Sequence, residues 1–380
     1  MVKNETNKTF WETGNGRDFL EWAKIDRLSL ESNFDPELFY KYDHNLDLLT
    51  KEWLQNGEFK NIMKSLHSNI INEKLPNSFL EFKNKLEKVP TWVDFELIRE
   101  GCNLSERSGL TGLLILRNFA LLGGYNFANL TKPLIATGSL EKGSLHRLYN
   151  TLNFWVNVSR SKEDNKIRID ACLQTRLVHA ASRLTILDKD LNWNQEKYGI
   201  PINHADMIAT NTAFTVYFLY GLQKLNLKYS EQEELGIFHL WKYVTYLLGV
   251  HQNLIPNNKS EALQFFFFWT QYQAEADQDA RKLAKSLLME STPISLLQLD
   301  FVKQNMDFIH RSIANYLIDD ATLKNLNIPE ARLGTAIIQA MKLKNALVLN
   351  KEKANSLGEQ QQKSVLIDYK TNSILQKKAN

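Results

Sequence analysis

Apolar residues recur at intervals of three and four along most of this chain. The clearest stripe follows a capping box formed by Ser230 and Glu233, and it consists of Leu235, Phe238, Trp241, Val244 and Leu248. This spacing predicts a helix of about 20 residues. The same period predicts helices over 93–120, 142–160, 166–188, 203–226, 260–290 and 294–317. Alternating β-branched runs, which favour strands, are nearly absent. The pattern therefore predicts an all-α fold.

The character of the chain changes twice along its length. Residues 1–90 are more polar and dotted with aromatic side chains, which predicts an N-terminal helical extension packed on a core at 91–350. Residues 351–380 are rich in Lys, Gln and Asn, and we interpret them as a polar tail that is either docked or frayed. No repeat of 20 to 50 residues is visible, so a single bundle-like core is favoured over a solenoid.

Composition excludes several classes of protein. With 46 Lys+Arg against 43 Asp+Glu, the formal charge is +3, which removes the main electrostatic support for nucleic-acid binding. Two cysteines are too few for a disulfide framework, and neither CxxC nor CxxCH occurs. No apolar stretch approaches the roughly 20 residues that span a bilayer, and the first residues lack a signal-peptide core. We expect a cytoplasmic protein without a transmembrane segment.

The predicted helix over 166–188 carries an unusual basic stripe. Arg176, His179 and Arg183 share one face at i, i+3 and i+7, whereas apolar residues point in nearly every other direction. A buried guanidinium is costly unless an anion meets it. We therefore expect an anionic group along this stripe.

A haem would satisfy that requirement, with His179 as iron ligand and an arginine near a propionate. The alternative is a solvated basic face with an incidental histidine, and the residues of this helix leave the two interpretations about equal. The preceding helix carries a second stripe of Arg147, Thr151 and Phe154, with Asn150 beside it. Their polar groups would supply hydrogen-bond donors over an iron site. Taken alone, however, this stripe is better explained as the solvated face of an amphipathic helix.

Taken in order, these motifs resemble those of the MpaB oxygenase family, which includes bacterial rubber oxygenases called latex clearing proteins. The resemblance rests on Arg-x-x-x-Thr at 147–151, on Arg-x-x-His-Ala-x-x-Arg at 176–183, on Gly-Ile-Pro-Ile-Asn-His-Ala-Asp at 199–206 and on the Thr/Phe-rich helix that follows. It covers roughly residues 91–256. It implies an all-helical, globin-like core, with extra N- and C-terminal helices here, around one non-covalent b-type haem.

The resemblance also implies roles for individual residues. His179 would be the proximal iron ligand, and Arg147 and Thr151 would lie on the distal side, with Asn150 where latex clearing proteins place a lysine. Arg176 and Arg183 match the motif arginines as cofactor-binding residues. His204 follows a Pro-Ile-Asn turn, and it is either a residue of the cofactor pocket or a structural residue at a helix start; the role of His251 is likewise open.

The expected function is that of a haem-dependent oxygenase that uses dioxygen to cleave or oxidise a double bond in a small apolar molecule. Because the rubber oxygenases are exported and no export signal is visible here, polyisoprene itself is not the expected substrate. A non-catalytic haem-sensing protein is the alternative. A di-iron oxygenase needs paired Glu-x-x-His motifs, and no glutamate of this chain stands three residues before a histidine.

Overall fold

A computed structural model describes residues 3, 7–31, 34–68, 75–138, 144–160, 165–188, 192–290, 292–296, 305–331, 334–347 and 351–379, the last four by their backbone alone. Within these ranges the regular elements are helical and no strand occurs, so the predicted all-α class is confirmed. None of the helices in the described ranges is long and apolar enough to cross a membrane.

The helices follow one another through mostly short connections. In chain order the α-helices are α1 (Lys8–Glu12), α2 (Asn15–Ala23), α3 (His44–Gln55), α4 (Phe59–Ser68), α5 (Asn77–Leu86), α6 (Phe95–Ile115), α7 (Leu122–Gly124), α8 (Ala128–Ala136), α9 (Ser144–Val158), α10 (Asn165–Asp188), α11 (Gln195–Tyr198), α12 (His204–Thr212), α13 (Phe218–Lys224), α14 (Glu231–Leu247), α15 (Lys259–Thr270), α16 (Gln278–Leu288), α17 (Met306–Leu317), α18 (Asp320–Asn325), α19 (Thr335–Ala346) and α20 (Lys351–Ala379). Two π-helical segments, Leu116–Leu121 and Ala213–Tyr217, continue α6 and α12. Three short 3-10 turns are Arg27–Ser29, Pro36–Phe39 and Gln252–Leu254.

Helix α14 begins at the capping box that the sequence predicts. The Ser230 hydroxyl accepts from the Glu233 amide, and the Glu233 carboxylate accepts from the Ser230 amide at 2.8 Å. At Gly236 this helix meets Gly101 of α6, where a Cβ on Gly101 would lie 2.3 Å from the Gly236 carbonyl oxygen. Only glycine permits so close an approach of two helix backbones. The contact between α6 and α14 therefore lies at the centre of the fold.

Two apolar clusters hold the helices together. The larger cluster runs from Phe10 of α1 through Trp241 of α14 to Tyr369 of α20. The smaller cluster joins α10 to α3, α4 and α5, and its fully buried members include Trp53 and Leu177. Helices from residues 1–90 thus cover one face of α10. The division at residues 90 and 350 stays a prediction.

The residues after 350 form a docked helix, which is one of the two alternatives left open by their composition. Gly358 of α20 lies against the Glu106 carbonyl, where a Cβ would approach the oxygen to 2.0 Å. At the kink in α6, where Gly109 has a φ of 50°, the Gln361 side chain accepts a hydrogen bond from the Leu110 amide at 3.1 Å. The tail therefore completes the hydrogen bonding of a central helix.

Two predicted helices differ from those observed. The segment 260–290 is two helices, α15 and α16, because Asp277 caps a new helix by accepting from the Ala280 amide. Of the segment 294–317, only 306–317 is helical in the described part, and 297–304 lies outside the described residues. Helix α10 is not covered all round either, since Val178 is 46% exposed.

Candidate functional site

The two arginines of the α10 stripe meet carboxylates from α3 and from the residue before it. Arg183 is 2% exposed, and its Nε and Nη2 donate to the two carboxylate oxygens of Asp47 at 2.7 and 2.8 Å. Its Nη1 donates to the Ile202 carbonyl oxygen at 2.8 Å. Arg176 donates from Nε to Asp43 and from Nη1 to the Leu247 carbonyl.

These contacts answer the sequence-based expectation of an anion along the stripe. The anions are Asp43 and Asp47, which belong to the protein and not to a cofactor. A bidentate guanidinium–carboxylate pair is the strongest arrangement available to a buried arginine. Cofactor binding by Arg176 and Arg183 stays a prediction, and the observed contacts give both residues a sufficient structural role.

His179 lies on the same stripe between these two arginines. Its Nδ1 is buried and unpaired within the described part of the structure. Burial, helped by the nearby Arg183 charge, lowers the pKa of His179 to about 4, so the ring is neutral at physiological pH. The side chain nevertheless keeps some accessible surface.

His204 is the first residue of α12, and its backbone is fixed on both sides. Its amide donates to the Lys41 carbonyl oxygen at 2.8 Å, and the preceding Asn203 caps the helix by accepting from the Asp206 amide. The imidazole Nε2 is buried and has no hydrogen-bond partner among the residues that the structure describes. Burial lowers the pKa of His204 to about 4, and among the neighbouring charges Asp43 opposes this shift. The structure therefore brings His204 to the charged cluster formed by Asp43 and the α10 arginines.

Helix α9 packs against α10, which follows it in the chain. Arg147 and His179 thus lie on neighbouring helices. Arg147 donates from Nη2 to the Tyr125 hydroxyl at 2.7 Å. Its Nε and Nη1 are buried and have no partner in the described ranges. Arg147 is thus a half-buried cation whose only described hydrogen-bond partner is a neutral phenol.

The other two predicted residues of α9 differ in position. Thr151 is half-buried on the Arg147 face, and its hydroxyl donates to the Arg147 carbonyl oxygen at 3.0 Å. Because its proton is already donated within the helix, the hydroxyl oxygen can only accept a further hydrogen bond. Asn150 is exposed, and its amide pairs with His146 at 3.2 Å. The predicted distal role of Asn150 stays a prediction, and its side chain lies on the solvent-exposed side of α9.

Aromatic rings extend the Arg147 face. Phe154 lies two turns along α9 from Arg147, and its ring meets that of Trp241 at 6.4 Å. Phe214, within a π-helical segment, stacks on Trp241 with ring centroids 4.2 Å apart and an interplanar angle of 6°. Phe154 and Phe214 are only half-buried. π-Helical turns inside α-helices frequently mark functional sites. These rings can offer an apolar wall to a ligand beside Arg147.

Sequence reasoning missed Asp43, Asp47 and Tyr125. The two aspartates lie more than a hundred residues before their arginines, and nothing in their local pattern distinguishes them from surface carboxylates. Tyr125 follows two glycines in a turn and has no periodic partner in the sequence. Each of the three gains its role only from tertiary contact.

A haem fits the groups described above. The unpaired imidazole of His179 is a neutral nitrogen donor of the type that binds haem iron. Arg147 supplies an uncompensated charge on the neighbouring helix, and Phe154 and Phe214 supply apolar faces that suit a macrocycle or an apolar substrate.

Comparison with known proteins gives the family of the chain. Residues 113–341 match the family described as ER-bound oxygenase mpaB/B'/Rubber oxygenase, catalytic domain. The rubber oxygenase of Streptomyces sp. (strain K30) is 23% identical over 234 residues, which cover 58% of this chain and 56% of that protein. The chain thus matches little more than half the length of this curated relative.

A solved structure shares the fold. The latex clearing protein LCP, in its closed state, aligns with a TM-score of 0.68 at 17% sequence identity, over 88% of this chain and 92% of that chain. Likeness at this level of identity shows a common all-helical architecture. The family match spans more than half of the chain, and it confirms the resemblance that the ordered motifs indicate. The chain belongs to the mpaB and rubber oxygenase family.

Proposed function

We propose that the protein is a haem b-dependent oxygenase that acts on an apolar, alkene-bearing molecule, with His179 as the iron ligand. The observation that carries this proposal is the neutral imidazole of His179, whose Nδ1 has no partner among the described residues, held at a partly accessible position in a member of an oxygenase family. A bound haem would supply the iron that activates dioxygen. The chain's own residues would hold the reactants and exclude water.

Each residue of the site has a task that its contacts support. Arg147 would donate from Nε and Nη1 to the oxygen-bearing reactant, because these hydrogen atoms have no described partner. Thr151 would accept a hydrogen bond, since its proton is already donated to the Arg147 carbonyl oxygen. Phe154, Phe214 and Trp241 would exclude water from the alkene.

The arginine–aspartate pairs would act one step away from the reactants. Arg176 and Arg183 fix α10 against α3, and His179 lies between them on the same face of the helix. A ligating side chain binds more tightly when its helix cannot shift. We therefore assign both arginines to the positioning of His179. His204, whose Nε2 is unpaired in the same cluster, remains a proposed cofactor-pocket residue.

Replacement of the histidine tests the ligand assignment. His179→Ala should abolish haem binding, measured as the loss of the Soret band and of haem content, while the circular dichroism of the helices stays near wild type. His251→Ala is the control, because this exposed histidine only caps a short turn and should leave haem content unchanged. In His179→Gly, added imidazole should restore the Soret band. A folded His179→Ala variant with full haem content would contradict the assignment.

Turnover separates the oxygenase from a haem sensor. The haem-loaded protein should consume oxygen and yield carbonyl products from a panel of isoprenoid alcohols, carotenoids and unsaturated fatty acids. Arg147→Met should lower this turnover by about 10²–10³ at near-normal haem content, because a preorganised donor of this type commonly contributes that factor. Reversible ligand binding without oxygen consumption across the panel would favour the sensor.

A further inference from the structure

Tyr125 lies in a turn whose backbone is fixed by several hydrogen bonds. Its amide donates to the Leu122 carbonyl oxygen at 3.2 Å, and the next two amides donate to Gly123 and Gly124 at 3.0 and 3.2 Å. The Ala128 amide then donates to the Ala274 carbonyl oxygen at 2.9 Å, which ties the turn to the segment after α15. The Cα of Tyr125 therefore has a defined position in the fold.

The side chain of Tyr125 is fixed as well. It is 3% exposed and belongs to the larger apolar cluster. Two residues further along the chain, the ring of Phe127 packs edge-on against the rings of Phe10, Phe266 and Trp269, at centroid distances of 5.3 to 5.5 Å. A tyrosine has two side-chain torsions and an arginine has four, so ordering the phenol in this packing costs less conformational entropy than ordering the guanidinium.

The buried arginines of the described ranges are held by groups that neutralise their charge or use most of their donors, unlike the half-buried Arg147. Arg183 binds Asp47 through two hydrogen bonds, and Arg107 binds Glu233 at 2.5 Å. Arg147 is held by a single hydrogen bond to a neutral hydroxyl group. Burial raises the pKa of Tyr125, which keeps this phenol neutral at the pH of any ordinary assay.

We propose that Tyr125 is a positioning residue of the site: it fixes the direction of the Arg147 guanidinium with one hydrogen bond and leaves the positive charge, Nε–H and Nη1–H available to a ligand. A carboxylate in its place would hold the arginine more tightly and would also cancel its charge. A phenylalanine would leave the guanidinium without an anchor. This inference rests on the proposed function, because it assigns Tyr125 to the same site.

The experiment measures fluoride binding to the ferric, haem-loaded protein. Fluoride bound at a haem responds to hydrogen-bond donors beside it, so its affinity reports on the direction of Arg147 without any turnover. Tyr125→Phe should weaken fluoride binding about three- to tenfold, as expected for the loss of one anchoring hydrogen bond. Tyr149→Phe, a half-buried tyrosine two residues from Arg147 on the same helix, is the matched control and should change the affinity less than about twofold.

A double-mutant cycle tests whether Tyr125 acts through Arg147. In an Arg147→Met background, Tyr125→Phe should have no further effect on fluoride affinity, because the group that it positions is absent. Equal affinities for Tyr125→Phe and Tyr149→Phe would overturn the inference, as would additive effects in the cycle. If Tyr125→Phe fails to load haem, Tyr125→Leu takes its place in the same cycle.

The outcome for Arg147 separates this inference from the proposed function. If Arg147→Met leaves both fluoride affinity and turnover unchanged, the proposed role of Arg147 is wrong, whatever Tyr125 does. If Arg147→Met weakens both and Tyr125→Phe weakens neither, only the positioning role of Tyr125 is wrong.

Discussion

Arg183 on α10 and Arg147 on the neighbouring helix α9 differ in how many of their donors have partners within the protein. Arg183 on α10 is completely paired, with two hydrogen bonds to Asp47 and one to the Ile202 carbonyl. Within the described ranges, Arg147 on α9 is held by one phenol and keeps two buried nitrogens unpaired. The first arrangement stabilises the folded protein. The second costs stability unless a ligand is present, and such a cost is typical of a functional site.

The sharpest test of this difference is the same substitution at each position. Arg183→Met should destabilise the protein by about 3–5 kcal/mol, because it leaves Asp47 buried without its partner. Urea unfolding measures the change. Adding Asp47→Leu to Arg183→Met should restore most of the lost stability, since an apolar pair of similar volume replaces the ion pair. A single variant as stable as wild type would show that the pair does not hold α10.

The ion pair between Arg107 and Glu233 predicts that the free energy of unfolding depends on pH. Arg107 and Ser230 lower the pKa of Glu233 from 4.5 to about 2 against the opposing effect of burial, and its side chain is 2% exposed. Because the folded pKa is depressed, this carboxylate contributes about 3 kcal/mol of stability above pH 4.5, which is lost as the pH falls toward 2.

Glu233→Gln should therefore destabilise the protein at pH 7 and converge with wild type in acid. Unfolding curves at a series of pH values test this expectation. Glu96→Gln, which removes an exposed partner of Arg99, is the control and should change stability by less than about 1 kcal/mol at any pH. A constant difference between Glu233→Gln and wild type down to pH 2 would contradict the prediction.

Replacement of Arg147 is expected to change stability in the opposite direction to replacement of Arg183. Arg147→Met should leave the haem-free protein as stable as wild type or more stable by about 1 kcal/mol, because it removes a half-buried charge that no described carboxylate compensates. Thermal unfolding of the haem-free variant measures this. Destabilisation comparable to that of Arg183→Met would mean that the two regions do not differ.

The smallest effect is expected for Thr151. Its hydroxyl donates to the carbonyl oxygen four residues earlier, an interaction that contributes little to a helix. Thr151→Val should therefore change stability by less than about 0.5 kcal/mol and lower turnover less than Arg147→Met does. Equal loss of turnover in the two variants would show that the Thr151 hydroxyl takes part in the reaction as directly as the guanidinium.

The fold class was accessible from sequence because helical periodicity is a local property. The capping box at Ser230 and Glu233 placed the start of α14 correctly, since both of its hydrogen bonds form between residues three apart. The break between α15 and α16 was not accessible in the same way. It depends on Asp277, which caps α16 and also pairs with the distant Lys132.

The candidate site was accessible only in part. The spacing of Arg176, His179 and Arg183 indicated a shared face and a requirement for anions, and both are present. The source of the anions was not accessible, because Asp43 and Asp47 approach α10 through the packing of α3. The face of a helix that a polar residue occupies is also decided by its neighbours, which is why Asn150, adjacent to Thr151 in sequence, lies at the surface.

The kink at Gly109 has a consequence for how the chain is made. The amide of Leu110 emerges from the ribosome 251 residues before Gln361, the side chain that accepts its hydrogen bond. Until α20 is synthesised, that donor and the surface around it have no native partner. Contacts of such long sequence separation slow folding, because the entropy of closing a long loop is lost before they form. The central helix α6 is thus among the first elements of the core to be translated and among the last to be completed.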